Sequence, residues 1–180
     1  MESVISATGE TLITEPSLAD MTKALLALHV IAAILAVGPV AVAASMFPAA
    51  MRAGDAARIG LLHRICRVYA VIGVAVPVFG FATAASLHVL GSPWLIASIS
   101  LTGVAALVLG VVILPAQDRV LVTAFGTAEV SADAAPALDR APTFDHTVIA
   151  RLAMCTGLFN LLWATVTVLM ILRPGSTTGV

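Results

Sequence analysis

Long runs of apolar residues, broken by charge at only a few places, dominate the pattern along the chain. Four segments each hold roughly 20 or more mainly apolar residues, enough to cross a hydrocarbon core about 30 Å thick at about 1.5 Å per residue. The turn "GSPW", with Gly91 and Pro93, separates the second segment from the third. We therefore predict membrane-spanning helices at about 24–51, 64–90, 94–117 and 150–172.

Composition supports the same fold class. Of the 180 residues 60% are hydrophobic and 11% are charged, and the mean hydropathy of +1.07 lies far outside the range of soluble domains. A membrane β-barrel would need many alternating segments of about ten residues, which the chain lacks. The prediction is an all-α polytopic membrane protein, a four-transmembrane-helix bundle. The net charge of −1 gives no indication of a nucleic-acid partner.

The basic residues predict an orientation. Seven arginines lie near the ends of the first and third connections, whereas the other side of the membrane has only Lys23 and Arg173. The excess of positive charge places both connections in the cytoplasm and both termini outside the bacterial plasma membrane. Four of the arginines form a basic turn that we also expect to contact anionic lipid: Arg52, Arg58, Arg64 and Arg67.

This orientation assigns the remaining segments. Residues 1–23 form an acidic external tail without the basic start of a signal peptide, and 173–180 form an external C-terminal tail. Residues 118–149, rich in Ala, Asp and Pro, are predicted to be a cytoplasmic linker that is partly helical at its start. Either disorder or the docking of a partner would explain such a linker.

Small and hydroxyl residues indicate how the spans pack, because lipid removes the hydrophobic drive between helices. On the third span, Ser98 and Thr102 begin a small-residue face that continues through Ala106 and Gly110. Asn160 lies near the middle of the fourth span and should hydrogen-bond a neighbouring helix. It belongs to a polar stripe at helical spacing, made of Thr156, Asn160, Trp163 and Thr167.

Ionisable groups inside the spans are scarce. Asp, Glu, Lys and Arg are absent away from the span ends, which disfavours a proton-coupled transporter or an ion channel. We also find no nucleophile with its base, no phosphate loop and no pair of catalytic carboxylates. The sequence therefore predicts a protein that is not an enzyme.

The histidines and cysteines offer two candidate sites. His29 and His88 lie towards the outer face and could ligate haem b or copper; alternatively, His29 hydrogen-bonds a neighbouring helix and His88 faces water. His63, Cys66 and Cys155 lie towards the cytoplasmic face and could hold zinc or copper, or the two thiols are simply buried and free. A disulfide is not expected on the reducing side of the membrane.

The first predicted span also resembles a known family. The segments "LHVIAAILAVGP" and "MFPAAMRAG" are similar to the first helix of a domain-of-unknown-function family of predicted four-helix bacterial integral membrane proteins. The resemblance covers Leu28 to Arg67 and rests on His29, Gly38, Pro48 and the arginines. Copper-resistance membrane domains and a membrane oxidase family of haem synthesis have a similar first helix, which implies haem or copper. The further charged residues of the oxidase are missing here.

Two functions follow as hypotheses. The first is a non-enzymatic accessory or assembly subunit of a larger bacterial membrane complex, with no cofactor, whose partners are membrane lipids and other integral membrane subunits. A respiratory complex is a candidate host on the resemblance alone. The alternative is a b-type haem or copper protein that uses His29 and His88 for electron transfer or metal handling. A small-solute transporter ranks third.

Overall fold

The computed structural model describes residues 17–133 and 143–175. In these ranges the chain is helical and has no strand, which confirms the predicted all-α class. Most of both predicted tails, and the middle of the predicted linker with Arg140, lie outside the described residues. The helices are α1 (Leu18–Ala53), α2 (Ala56–Ile72), α3 (Ala75–Ser86), α4 (Pro93–Leu107), α5 (Leu114–Asp133) and α6 (His146–Leu172), and a π-helical segment, Val108–Ile113, joins α4 to α5.

Within the described ranges, four continuous stretches are long and apolar enough to cross a membrane: Leu18–Ala53, Ala56–Ser86, Pro93–Gly126 and His146–Leu172. We call them the first to fourth spans. Each covers most of one predicted span but extends beyond it. Helix α5, for instance, continues through residues that the composition indicated as the start of a linker. The fold is thus a bundle of four potential transmembrane helices.

Local sequence explains where the first span begins and ends. The hydroxyl of Ser17 accepts a hydrogen bond from the backbone N–H of Asp20, which caps the start of α1. At the other end Gly54 adopts a left-handed conformation, with φ of 65°, which a glycine adopts without strain. The carboxylate of Asp55 then accepts from the N–H of Arg58 and starts α2. A tight turn therefore joins the first two spans.

The second span is interrupted between α2 and α3. Pro77 has no N–H to donate to the carbonyl of Gly73, which is left without its usual helical partner. That carbonyl instead accepts from the N–H of Val76 at 3.1 Å. The ladder is therefore interrupted just before the proline, as expected of a proline in a spanning helix.

Helix α1 organises the bundle by packing against α2, α3 and α6. Helix α4 and the π-helical segment pack against α6, and α5 packs against α2. One core cluster, around Phe47, Ile59 and Leu152, lies near the α1–α2 turn. Another, around Val40 and Ile113, lies farther into the bundle. Large apolar residues such as Ile34, Val71 and Leu161 remain exposed on the outer faces, as lipid contact requires.

One end of the bundle is rich in arginine. It is formed by the α1–α2 turn, the first turns of α5 and the start of α6. All the arginines described here have exposed side chains: Arg52, Arg58, Arg64, Arg67, Arg119 and Arg151. We call this end the arginine-rich end. The predicted orientation places it in the cytoplasm, and that placement stays a prediction.

Candidate functional site

A buried polar cluster joins α2 to α5 near the arginine-rich end. It consists of His63 and Cys66 on α2 and of Gln117 and Asp118 on α5, and we call it the His63 cluster. His63 Nδ1 lies 3.2 Å from Gln117 Oε1, and His63 Nε2 lies 3.1 Å from Asp118 Oδ1. Gln117 Nε2 lies 3.8 Å from Cys66 Sγ. Gln117 and Cys66 are fully buried, whereas Asp118 is exposed.

Both nitrogens of His63 face oxygen atoms. With Gln117 Oε1 and Asp118 Oδ1 both as acceptors, the ring must donate from both nitrogens, as a doubly protonated imidazolium does. A neutral ring is accommodated if the Gln117 amide rotates, because its NH₂ group then donates to Nδ1 and its oxygen accepts from the Cys66 thiol. Arg67 Nη1, 3.8 Å from Asp118 Oδ1, adds a positive charge beside the carboxylate. The His63 cluster therefore fastens α2 to α5 with either form of the ring.

The proposed third metal ligand, Cys155, lies in another part of the bundle. It packs against the cluster around Val40 and Ile113, whereas Cys66 belongs to the cluster around Ile59. In residues 17–133 and 143–175, no three His, Cys, Asp or Glu side chains form a group that could hold a metal ion. The structure thus brings His63 and Cys66 together, through Gln117, but not Cys155.

His29 lies against the second span. Its Nδ1 donates a hydrogen bond to the carbonyl of Val76 at 2.9 Å, because a carbonyl oxygen can only accept. The ring also covers Gly80 so closely that a Cβ atom there would lie 2.9 Å from His29 Cε1. His29 therefore holds α1 to α3, and Gly80 provides the space for its ring.

His88 lies in the turn after α3, with an exposed side chain and a φ of 56°. It is eight residues beyond Gly80, where the His29 ring lies, and this corresponds to roughly 12 Å along a helix at about 1.5 Å per residue. The ligation of haem or copper by His29 together with His88 stays a prediction.

The hydroxyls predicted to join helices mostly bond within their own helix. Ser98, Thr102 and Thr167 each donate to the carbonyl four residues earlier. Thr156 is buried on α6. Asn160 does cross between helices, since its Nδ2 donates to Ser45 Oγ on α1 at 3.0 Å.

Two polar atoms on α6 are buried and lack a hydrogen-bond partner among the described residues: Asn160 Oδ1 and Trp163 Nε1. The Asn160 Nδ2 group thus donates a hydrogen bond to α1, whereas its Oδ1 atom accepts none from the described residues. A buried polar atom without a hydrogen-bond partner is costly in an apolar medium, so both atoms carry a local cost in the packing of α6.

Small exposed residues surround the bond between Ser45 and Asn160. At about 100° per residue, those on α1 fall within an arc of roughly 40° and those on α6 within an arc of roughly 60°. A Cβ atom added at Gly38 or Gly157 would meet nothing within 4 Å among the residues that the structure describes. We call this region the small-residue surface; it comprises Gly38, Ser45 and Ala49 of α1 and Ala153, Gly157, Asn160 and Ala164 of α6.

Sequence reasoning found Asn160 but missed the small-residue surface and the partners of His63. Each depends on which helices are neighbours, and spacing along one helix carries no such information. Gln117 did carry a signal, since an amide at the end of an apolar run needs a partner when it is buried.

The four spans and these polar contacts define a helical bundle suited to crossing a membrane several times. Comparison with protein-family models, with curated proteins and with solved structures found no match.

Proposed function

We propose that this chain is a non-enzymatic accessory or assembly subunit of a larger bacterial membrane complex. It would hold other integral membrane subunits by helix packing, and a respiratory complex is one candidate host. The small-residue surface of α1 and α6 is the observation that carries the proposal. The partner would be a transmembrane helix of another subunit.

The exposed glycines support this proposal energetically. A glycine inside a helix costs about 1 kcal/mol relative to alanine. Gly38 and Gly157 give no packing benefit within the described chain, because the space beside each of them is open. Small residues on a membrane helix allow another backbone to approach closely.

The experiment compares two glycine substitutions in membranes of cells that naturally express the chain. Gly157→Leu would block the small-residue surface, whereas Gly103→Leu places the same side chain at an exposed, equally open position on α4. After gentle solubilisation, native gel electrophoresis should show wild type and Gly103→Leu in a complex much larger than the 18.4 kDa chain. Gly157→Leu should migrate as the free subunit.

Two outcomes would contradict the proposal. Wild-type chain that migrates alone would show that no stable complex forms. Equal migration of the two variants within a complex would show that the small-residue surface is not the contact. Mixed expression of two differently tagged copies separates a complex with other subunits from a simple homo-oligomer.

The hydrogen bond of His29 favours a second candidate function, binding of haem b or copper. Donation from Nδ1 to the Val76 carbonyl leaves the lone pair of a neutral ring on Nε2. Metal-ligating histidines commonly have this arrangement, since the outer hydrogen bond fixes the tautomer and the ring orientation. On this proposal His29 supplies one ligand, and His88 is the candidate for the other.

Spectroscopy and metal analysis test this second function. Protein isolated in mild detergent should show a haem absorption band or stoichiometric copper, and His29→Ala should lose it. His63→Ala, which removes a histidine from a different part of the bundle, should keep it. A colourless, metal-free wild type after growth with haem precursors and copper would count against the proposal.

A further inference from the structure

A groove opens between α5 and α6 at the arginine-rich end. The third and fourth spans pack together along α4 and the π-helical segment. Beyond that segment a space of about 610 Å³ separates the start of α5 from the start of α6. The π-helical segment contributes Val111 and Val112 to its wall. A π-helical turn inserts an extra residue into the helix and commonly marks functional sites.

Each side of the groove carries one arginine, Arg119 on α5 and Arg151 on α6. Neither guanidinium makes an ion pair within the described part of the chain, whose ion pairs involve Lys23, His63 and Arg67. Asp145 also lines the groove, and its carboxylate accepts the backbone N–H of Thr147 as the cap of α6. Two arginines against one aspartate give the described lining of the groove an excess of positive charge.

The walls of the groove change from polar to apolar along the helices. Val112 lies seven residues before Arg119, which is roughly 10 Å along a helix. On the other wall Cys155 lies four residues after Arg151, which is roughly 6 Å. Val111, Val112 and Cys155 therefore line the end that points into the bundle, whereas the arginines lie nearer the arginine-rich end, among apolar residues such as Val120 and Val148. This arrangement has the polarity of a membrane lipid.

We propose that the groove binds one anionic phospholipid, with its phosphate between Arg119 and Arg151 and an acyl chain along the apolar wall. Basic pockets between transmembrane helices are typical sites for anionic headgroups. Arginine suits the phosphate because its planar group donates two parallel hydrogen bonds. A free phosphate ion has no apolar part that could contact the apolar end of the groove. The inference does not depend on the proposed role as a subunit.

Native mass spectrometry of the full chain in mild detergent tests the proposal. The probes are dioleoyl phosphatidylglycerol, dioleoyl phosphatidylcholine and inorganic phosphate. Wild type should bind one phosphatidylglycerol more tightly than phosphatidylcholine, and millimolar inorganic phosphate should not displace it. The double variant Arg119→Gln/Arg151→Gln should bind phosphatidylglycerol about 25-fold more weakly, since each arginine contributes about fivefold. The matched control Arg58→Gln/Arg64→Gln loses the same charge from the basic turn outside the groove, where lipid contacts only the surface, and should weaken binding much less.

A further variant tests the apolar end without changing the charge. Val112→Trp should fill that end and weaken phosphatidylglycerol binding about tenfold, if the acyl chain lies there. Equal weakening by the two double variants would overturn the proposal in favour of general surface charge. Equal binding of the two lipids would exclude a headgroup site, and displacement by phosphate would indicate a free-anion site. Failure of wild type to bind phosphatidylglycerol, as when another segment of the chain fills the groove, would also overturn it.

Discussion

At the scale of single residues, His29 and His63 each form hydrogen bonds with a residue of another span. His29 donates to a backbone carbonyl of α3, and His63 lies between an amide and a carboxylate of α5. The sequence indicated that His29 could bond a neighbouring helix, but it could not identify Val76 or Gly80. Those contacts depend on how two spans are aligned in depth, and a distance along the chain does not determine that alignment.

The contact between His29 and Gly80 gives the first prediction. Gly80→Ala should destabilise the protein by about 1 to 3 kcal/mol, because its Cβ atom would overlap the imidazole and push it from Val76. Gly103→Ala is the matched control: its Cβ atom meets open space, so the better helix propensity of alanine should leave stability unchanged or raise it by up to about 1 kcal/mol. Unfolding in detergent measures both, and equal stability of the two variants would show that the ring does not need the space.

The second prediction concerns the buried amide of Gln117. Gln117→Leu should cost about 1 to 3 kcal/mol, since it removes the hydrogen-bond partner of His63 Nδ1 inside the bundle. Ser100→Ala serves as the control, because that exposed hydroxyl only donates to the carbonyl of Ile96 in its own helix, and its loss should cost about 0.5 kcal/mol or less. Detergent unfolding again provides the measurement, and a cost for Gln117→Leu no larger than the control's would show that the His63 cluster does not stabilise the bundle.

At the scale of helices, the apolar runs predicted the four spans because each run has the length that a bilayer requires. The ends were harder to predict. The start of α1 is an exception, because "SLAD" is typical of a helix start and Ser17 does cap α1 ahead of the apolar run. The second span is interrupted near Pro77, since α2 ends at Ile72, whereas α1 continues through Pro39 and Pro48. The π-helical segment has no such signal in "VLGVVI", because an inserted residue leaves the hydrophobicity unchanged.

The start of α6 gives a prediction about pH. Hydrogen bonds from the backbone N–H and the hydroxyl of Thr147 lower the pKa of the Asp145 carboxyl below its ordinary value of 3.8. The native state therefore binds this proton less readily than the unfolded chain. The contribution of Asp145 to stability is complete above its ordinary pKa and is lost as the pH falls through the lowered native value.

Asp145→Asn keeps an oxygen that can cap the helix but cannot titrate. Between about pH 6 and about pH 3, the midpoint of thermal unfolding should fall further for wild type than for this variant. Comparison of the two curves cancels the titration of the other carboxyl groups. Parallel curves would show that the Asp145 cap does not contribute to the acid sensitivity.

At the scale of the whole molecule, the surfaces that matter come from pairs of helices. The small-residue surface forms because α1 lies beside α6. The groove forms because the third span packs against α6 along α4 and the π-helical segment, and then separates from it along α5. A four-span pattern is compatible with several arrangements of its helices. The sequence therefore predicted the class of fold and several residues of the candidate sites, but not their combination into surfaces.

The final prediction concerns the orientation of the bundle. The described arginines at the arginine-rich end should keep that end in the cytoplasm. In a chain whose two native cysteines are replaced by alanine, Arg58→Cys should react with a membrane-impermeant maleimide only after the cells are permeabilised. Leu18→Cys, at the exposed opposite end of the first span, should react in intact cells. The reverse pattern would place the arginine-rich end outside and the groove in the outer leaflet, so this experiment also decides which leaflet would supply the proposed lipid.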